Sequence, residues 1–161
     1  MNTCSQQKAD KVESFSGTFR FLSNFYPAPV LYEGITYPTS EHAFQAVKTV
    51  DENSRQNIAM LETPAEAKKY GRTVRMRPAW DDVKVGVMAE IVLGKFMQNP
   101  DLLEKLLATD DIELIEGNTW GDKFWGVCDG EGENNLGKIL MLVRDGLNTN
   151  TEDTDNENSN D

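Results

Sequence analysis

The stretch from Trp80 to Gln98 constrains the fold of this chain more than any other. It holds no proline, and Val83, Val87, Ile91 and then Phe96 or Met97 recur at helical spacing, which predicts a long helix with one buried stripe. Asn99-Pro100-Asp101 ends it and starts a shorter helix through Ala108. Another helix is expected to start at Thr63-Pro64-Ala65-Glu66, where a hydroxyl cap, a first-turn proline and a glutamate three residues on form a capping box. A last helix is expected over Leu136–Leu147, and one from Glu41 to Lys48. Phe15–Phe21 alternates like a strand, Val30–Tyr37 reads as a hairpin about Glu33-Gly34, and Ile112–Ile115 as a further strand. The expected fold is α+β: a single compact, mainly helical domain with a small β-sheet. Residues 1–13 are expected to be a flexible leader, 14–147 the domain, and 148–161 a disordered acidic tail.

Composition narrows the function classes. A chain of 161 residues suits one domain with a sizeable core. No apolar run is long enough to span a bilayer, and Met1–Gln7 has no apolar signal core, so a cytoplasmic protein without membrane contact is expected. Cys4, Cys128 and His42 are too few for a disulfide framework or a His/Cys metal site, and neither a cofactor nor a stable protein partner is inferred. Net charge is −11, and Glu152, Asp153, Asp155, Glu157 and Asp161 supply five of those charges, leaving −6 for the remainder. Against that background Lys68, Lys69, Arg72, Arg75 and Arg77 form a run without an anion. Such a run is either a solvated patch or a place for phosphates.

Two stretches carry candidate chemistry. In Thr39-Ser40-Glu41-His42-Ala43-Phe44-Gln45-Ala46-Val47-Lys48, Thr39 or Ser40 is a natural N-cap. At 3.6 residues per turn, Lys48 lies about 20° and Gln45 about 40° from Glu41 around the helix. One face therefore holds a carboxylate, an amide and an amine. It is either a solvated surface or a site, and the apolar flanks Ile35, Tyr37, Phe44 and Val47 weigh towards the site. The second stretch, Gly117 to Gly137, is too glycine-rich for a regular helix and carries Trp120, Asp122 and Trp125. It is either a structural loop whose tryptophans plug the core or a ligand-binding loop.

Taken together, Phe19-Arg20-Phe21-Leu22-Ser23-Asn24-Phe25-Tyr26-Pro27, Tyr37-Pro38 through Lys48, and Gly117-Asn118-Thr119-Trp120 through Met141 resemble the signatures of the NADAR family, named for its association with NAD and ADP-ribose. The resemblance spans residues 15–147 in the family's order. It implies an N-glycosidase that cleaves the bond between ribose C1 and a base or amine nitrogen. Two substrate classes follow from it: ADP-ribosylated guanine in nucleic acid or nucleotides, and the ribosylamino-pyrimidine phosphates of early riboflavin synthesis. The resemblance implies Glu41, Lys48 and Asp122 as catalytic groups. Arg20, Ser23, Asn24, Phe25, Tyr37, Ser40, Gln45, Trp120, Trp125, Gly126 and Asn135 are implied as substrate-binding residues. Some riboflavin-type members carry an acid straight after the Trp-Gly of the third motif, where this chain has Val127 and a shifted Asp129, which tilts the expectation towards ADP-ribosyl-guanine.

Cleavage at C1 develops oxocarbenium-like charge, and the leaving nitrogen needs a proton. Glu41 would stabilise that charge or activate water; alternatively the Lys48 amine would attack the ring-opened C1 aldehyde to give an imine. A non-catalytic ADP-ribose sensor and an interaction module acting through the acidic tail are the other classes. The sensor binds without turnover, and the module loses function when residues 148–161 are removed.

Overall fold

The computed structural model describes residues 10–157, with side chains as far as residue 150. Much of the expected architecture is present. Val30–Tyr32 (β1) and Ile35–Tyr37 (β2) form the antiparallel hairpin. Glu33 (φ 47°) and Gly34 (φ 84°) both sit in the left-handed region, as a two-residue hairpin turn requires. Val30 pairs with Tyr37, and both point into the core.

Ser40–Ala46 (α1) follows, capped by Thr39, whose hydroxyl accepts the His42 N–H. Glu52–Ala59 (α2) has no counterpart among the expected elements, although Asp51 caps it through the Ser54 N–H. Pro64–Gly71 (α3) begins with both halves of the Thr63–Glu66 capping box formed. Trp80–Gln98 (α4) has the expected limits. It is the central strut and packs against α1 and the hairpin, against Pro100–Leu107 (α5), and against Asn135–Glu157 (α6). Phe96 is the buried alternative on the stripe, with Met97 in solvent.

Several expectations are corrected. Phe15–Phe21 is not a strand: Gly17 takes a positive φ of 55°, which breaks an extended run, and Gly17–Leu22 coils into a 3-10 helix that buries Phe21 and Leu22. The small β-structure among the described residues is divided into three two-stranded pieces. Besides the hairpin, Lys11–Val12 (β3) pairs in parallel with Glu113–Leu114 (β4), and Gly117–Asn118 (β5) with Val127–Cys128 (β6). The leader is therefore ordered at its end, because Val12 and Leu114 bury their side chains together. Residues 1–9 and 158–161 lie outside the described residues. Helix α6 does not stop at Leu147. No proline interrupts it, the Thr149 hydroxyl donates back to the Gly146 carbonyl, and the helix continues through ten residues of the expected disordered tail.

Candidate active site

Helix α1 is buried on every side. Ser40 and His42 are 0% exposed, Gln45 4% and Glu41 8%, because α2, α3 and α4 all pack around it. The polar face of Glu41 and Gln45 is thus no solvated surface. The Gln45 amide donates to Glu41 Oε1 at 2.7 Å, and the Glu41 N–H donates to the Asn24 carbonyl at 3.1 Å, tying the helix start to the corner after the 3-10 segment. His42 is held at both ring nitrogens, by Thr39 Oγ1 and the Leu61 carbonyl, and serves the fold. A Cβ on Gly71 would overlap the Gln45 side-chain oxygen, so the end of α3 must be glycine for Gln45 to reach Glu41.

Burial raises the Glu41 pKa. The Gln45 hydrogen bond and the charges of Lys68 and Lys48 oppose the rise, while Asp122 adds to it. Lys48, half-buried just beyond α1, has its ammonium 5.7 Å from the Phe44 ring centre. Burial lowers its pKa; Glu41 resists, and Lys68, Arg72 and Lys84 push it down further. The basic run is therefore not remote from the helix. Its last member, Arg77, donates its backbone N–H to the Lys48 carbonyl, and Lys68 on α3 and Arg72 just beyond it act electrostatically on Lys48.

The glycine-rich stretch closes the other side. Asp122 Oδ1 accepts the N–H groups of Phe124 and Trp125 at 3.1 and 2.9 Å, an Asx turn, and the Asn118 side chain bonds both the N–H and the carbonyl of Asp122. Trp125 stands edge-on to Phe44 (5.4 Å) and Phe124 (4.8 Å), and Lys84 Nζ lies 4.3 Å from the Phe124 ring centre. Trp125 thus joins the loop to α1, whereas Trp120 is 66% exposed.

The remaining candidates divide. Asn24 accepts the Glu41 N–H through its backbone carbonyl, and Ser40 precedes Glu41 in α1. Asn24 Oδ1, Ser40 Oγ and Gln45 Oε1 are buried without a hydrogen-bond partner among the described residues. Ser23 uses its hydroxyl on the Phe25 N–H, while Phe25 and Arg20 are exposed. Tyr37 fills the core, where burial pushes its hydroxyl pKa up to about 12. Gly126 packs its backbone against Glu116, and Asn135 bonds the Phe124 carbonyl, so both shape the loop.

Two residues outside the sequence reading join this group. Lys95, 1% exposed on α4, donates to the Phe21 and Ser23 carbonyls at 2.6 and 2.9 Å and so holds the corner that receives the Glu41 N–H. Burial brings its pKa down to about 7, with Glu116 opposing. Glu116 is pushed up to about 7, by burial first and then by Asp122 and Glu41, against Lys95 and Lys68. Lys95 had a signal, a charge four residues beyond Ile91 on the apolar stripe. Glu116 had none, since it alternates like a surface strand residue.

The model of the NADAR domain matches residues 6–148. The chain belongs to the NADAR family. Within that family it is 39% identical over 137 residues to the N-glycosidase YbiA of Escherichia coli, covering 83% of this chain and 85% of the relative. An N-glycosidase of Nostoc punctiforme is 40% identical over 130 residues, with 77% and 83% covered. A riboflavin biosynthesis protein of Vibrio vulnificus is 43% identical over 130 residues, of which this chain spans only 35%. The NMR structure of E. coli YbiA superposes with a TM-score of 0.77 at 38% identity, covering 88% of this chain and 85% of that one. The NADAR fold is thus the mainly helical α+β domain described above.

Proposed function

We propose that the protein removes ADP-ribose from ADP-ribosylated guanine in nucleic acid or nucleotides by hydrolysing the bond between ribose C1 and the base nitrogen. As an N-glycosidase it is a hydrolase of N-glycosyl bonds, in keeping with its relatives. The observation that supports the choice of substrate is a group of cations: Lys68, Arg72 and Lys84 all act on the half-buried Lys48 amine, seven residues on from the buried Glu41 that Gln45 holds. A diphosphate and a nucleic-acid backbone both need several cations beside the scissile bond.

In this reading Glu41 faces ribose C1 and stabilises its developing positive charge or activates water, while Asp122 contributes a second negative charge from the loop. Lys48, with its pKa lowered by burial and neighbouring cations, supplies an amine that can instead add to C1 of the ring-opened substrate, where the base nitrogen is held as an imine. That nitrogen leaves with a proton as the Lys48 imine forms, and water then releases the sugar from Lys48. Asn24, Ser40 and Gln45 offer their unpartnered oxygens to ribose hydroxyls, and Trp125 with Phe44 walls the base side.

The test is mass spectrometry of a DNA oligonucleotide bearing ADP-ribosyl-guanine after incubation with the purified protein. Loss of the ADP-ribose mass with guanine intact is expected. An unchanged oligonucleotide rejects this substrate. The second reading, ribosylamino-pyrimidine phosphates of riboflavin synthesis, is favoured by the name of the Vibrio relative and is assayed in parallel. Binding of ADP-ribose without turnover of either substrate identifies a sensor.

A further inference from the structure

The two oxygens of Glu41 are treated differently. Oε1 accepts the Gln45 amide at 2.7 Å, from one turn further along α1. No other side chain among the described residues hydrogen-bonds this carboxylate. Oε2 therefore has no partner, yet it is not sealed in as Asn24 Oδ1 and Ser40 Oγ are. Glu41 keeps 8% of its surface exposed, and this oxygen remains partly open.

The donor is itself held from behind. Gln45 is 4% exposed and lies against the end of α3. A Cβ on Gly71 would overlap Gln45 Oε1 and come within 2.8 Å of its Cδ and 3.0 Å of its Cβ. The Gly71 backbone thus runs along the Gln45 side chain from its root to its amide. Gly71 has no positive φ, unlike Gly34 and Gly121, so no backbone conformation calls for glycine there. The contact with Gln45 supplies the reason. With its oxygen on the Gly71 side, the amide presents its N–H to Glu41. Turned over, it would set one acceptor against another and lose the bond to a carboxylate. The orientation suits an ionised Glu41.

We propose that Gln45 is the positioning residue of Glu41: its amide N–H holds Oε1 and leaves Oε2 turned to the reacting sugar, and Gly71 gives it the room to do so. The assignment rests on the role of Glu41 in the function proposed above. A carboxylate anchored by one oxygen keeps the other in one direction, which a reaction at C1 rewards. The same bond favours the ionised form that Glu41 needs, whether it faces the charge on C1 or activates water. Lys68 on α3 and Lys48 beyond α1 also favour the anion, while burial and Asp122 on the glycine-rich loop oppose it. No group on α2 or α4 is among these. Without the amide the balance moves towards burial, and Glu41 ionises at higher pH.

The test measures kcat and KM from about pH 5 to about pH 9, on whichever of the two N-ribosyl substrates wild type cleaves. Gln45→Met keeps the length of the side chain and removes the donor. Gly71→Ala keeps donor and acceptor and crowds them apart. Each is expected to lower kcat about tenfold or more, with KM within about threefold. Each is also expected to move the acid limb of kcat/KM up by about one pH unit, so that the deficit shrinks as pH rises. Added to Glu41→Gln, Gln45→Met is expected to cost less than about twofold, since no carboxylate is left to orient. A limb left in place, a loss confined to KM, or an undiminished loss in the Glu41→Gln background overturns the assignment and leaves the N-glycosidase reading standing. If thermal melting shows Gln45→Met unfolded, Gly71→Ala decides, and a wild-type profile overturns the assignment. Near-wild-type rates in Glu41→Gln overturn the role of Glu41 and this assignment with it. A folded wild type inert to both substrates overturns the proposed function as a whole.

Discussion

Glu41 and Lys48 are seven positions apart and differ in what surrounds them. Glu41 is inside the α1 packing with one oxygen on Gln45, while Lys48 is half-buried among Lys68, Arg72 and Lys84. Under the proposed function a carboxylate beside C1 and a nucleophilic amine make distinct demands, and the surroundings of the two groups differ. Glu41→Gln keeps the shape and removes the charge, and turnover is expected to fall at least about 100-fold. Lys48→Ala is expected to lose as much if the imine route operates. Borohydride added during turnover then traps a sugar adduct on Lys48 in wild type and none in the variant; direct hydrolysis leaves no adduct. Near-wild-type rates in both variants would remove these two residues from the chemistry.

At the scale of elements, the site depends on how α4 holds the corner between the 3-10 helix and the hairpin. The Lys95 amine bonds the Phe21 and Ser23 carbonyls, and the next residue, Asn24, receives the Glu41 N–H. Lys95→Met preserves volume but leaves two carbonyls without that donor, at a cost of about 2–4 kcal/mol in a denaturant melt. Because α1 is positioned through the same corner, kcat is expected to fall with it. The pH dependence has a definite sign. The folded Glu116 pKa is raised from 4.5 to about 7, so its favourable contribution is complete below about 4.5 and is lost as pH rises to about 7. The folded Lys95 pKa is lowered from 10.5 to about 7, so its contribution is complete above about 10.5 and is lost as pH falls to about 7. Glu116→Gln is therefore expected to gain stability over wild type at about pH 8, with the gain gone near pH 4.5. Denaturant midpoints at the two pH values check this, and an equal difference at both contradicts it.

Over the whole molecule, an acidic chain gathers cations at one place. Net charge is −11, yet Lys68, Arg72 and Lys84 all act on Lys48. Such a group attracts a polyanion locally while the rest of the surface repels it. Replacing Lys68 and Arg72 together by Ala is expected to raise KM for the modified oligonucleotide about tenfold or more and to flatten its dependence on salt. An unchanged salt slope would place the phosphates elsewhere. Helix α6 contributes Leu136, Ile139, Leu140 and Arg144 to the buried interior. Removing residues 148–161 leaves all four in place and is expected to preserve turnover, and a large loss would assign the acidic segment a role in function.

What the sequence determined by itself is what neighbours along the chain decide. The α4 limits follow from local spacing and the prolines beyond each end, the capping box of α3 from residues three apart, and the hairpin from a Glu-Gly pair able to take positive φ. The three motifs also placed the chain in its family. Tertiary structure alone decided the rest. Whether Glu41 and Gln45 face solvent or the interior depends on α2, α3 and α4 closing over α1, and α2 itself, with its mean hydropathy low and one buried residue, Ile58, carries little periodic signal. The pairing of Lys11–Val12 with Glu113–Leu114 joins residues about a hundred positions apart, beyond any local pattern. Lys95 and Glu116 acquire their altered acidities from burial and from charges distant in sequence, because desolvation and Coulomb forces act through space and not along the chain.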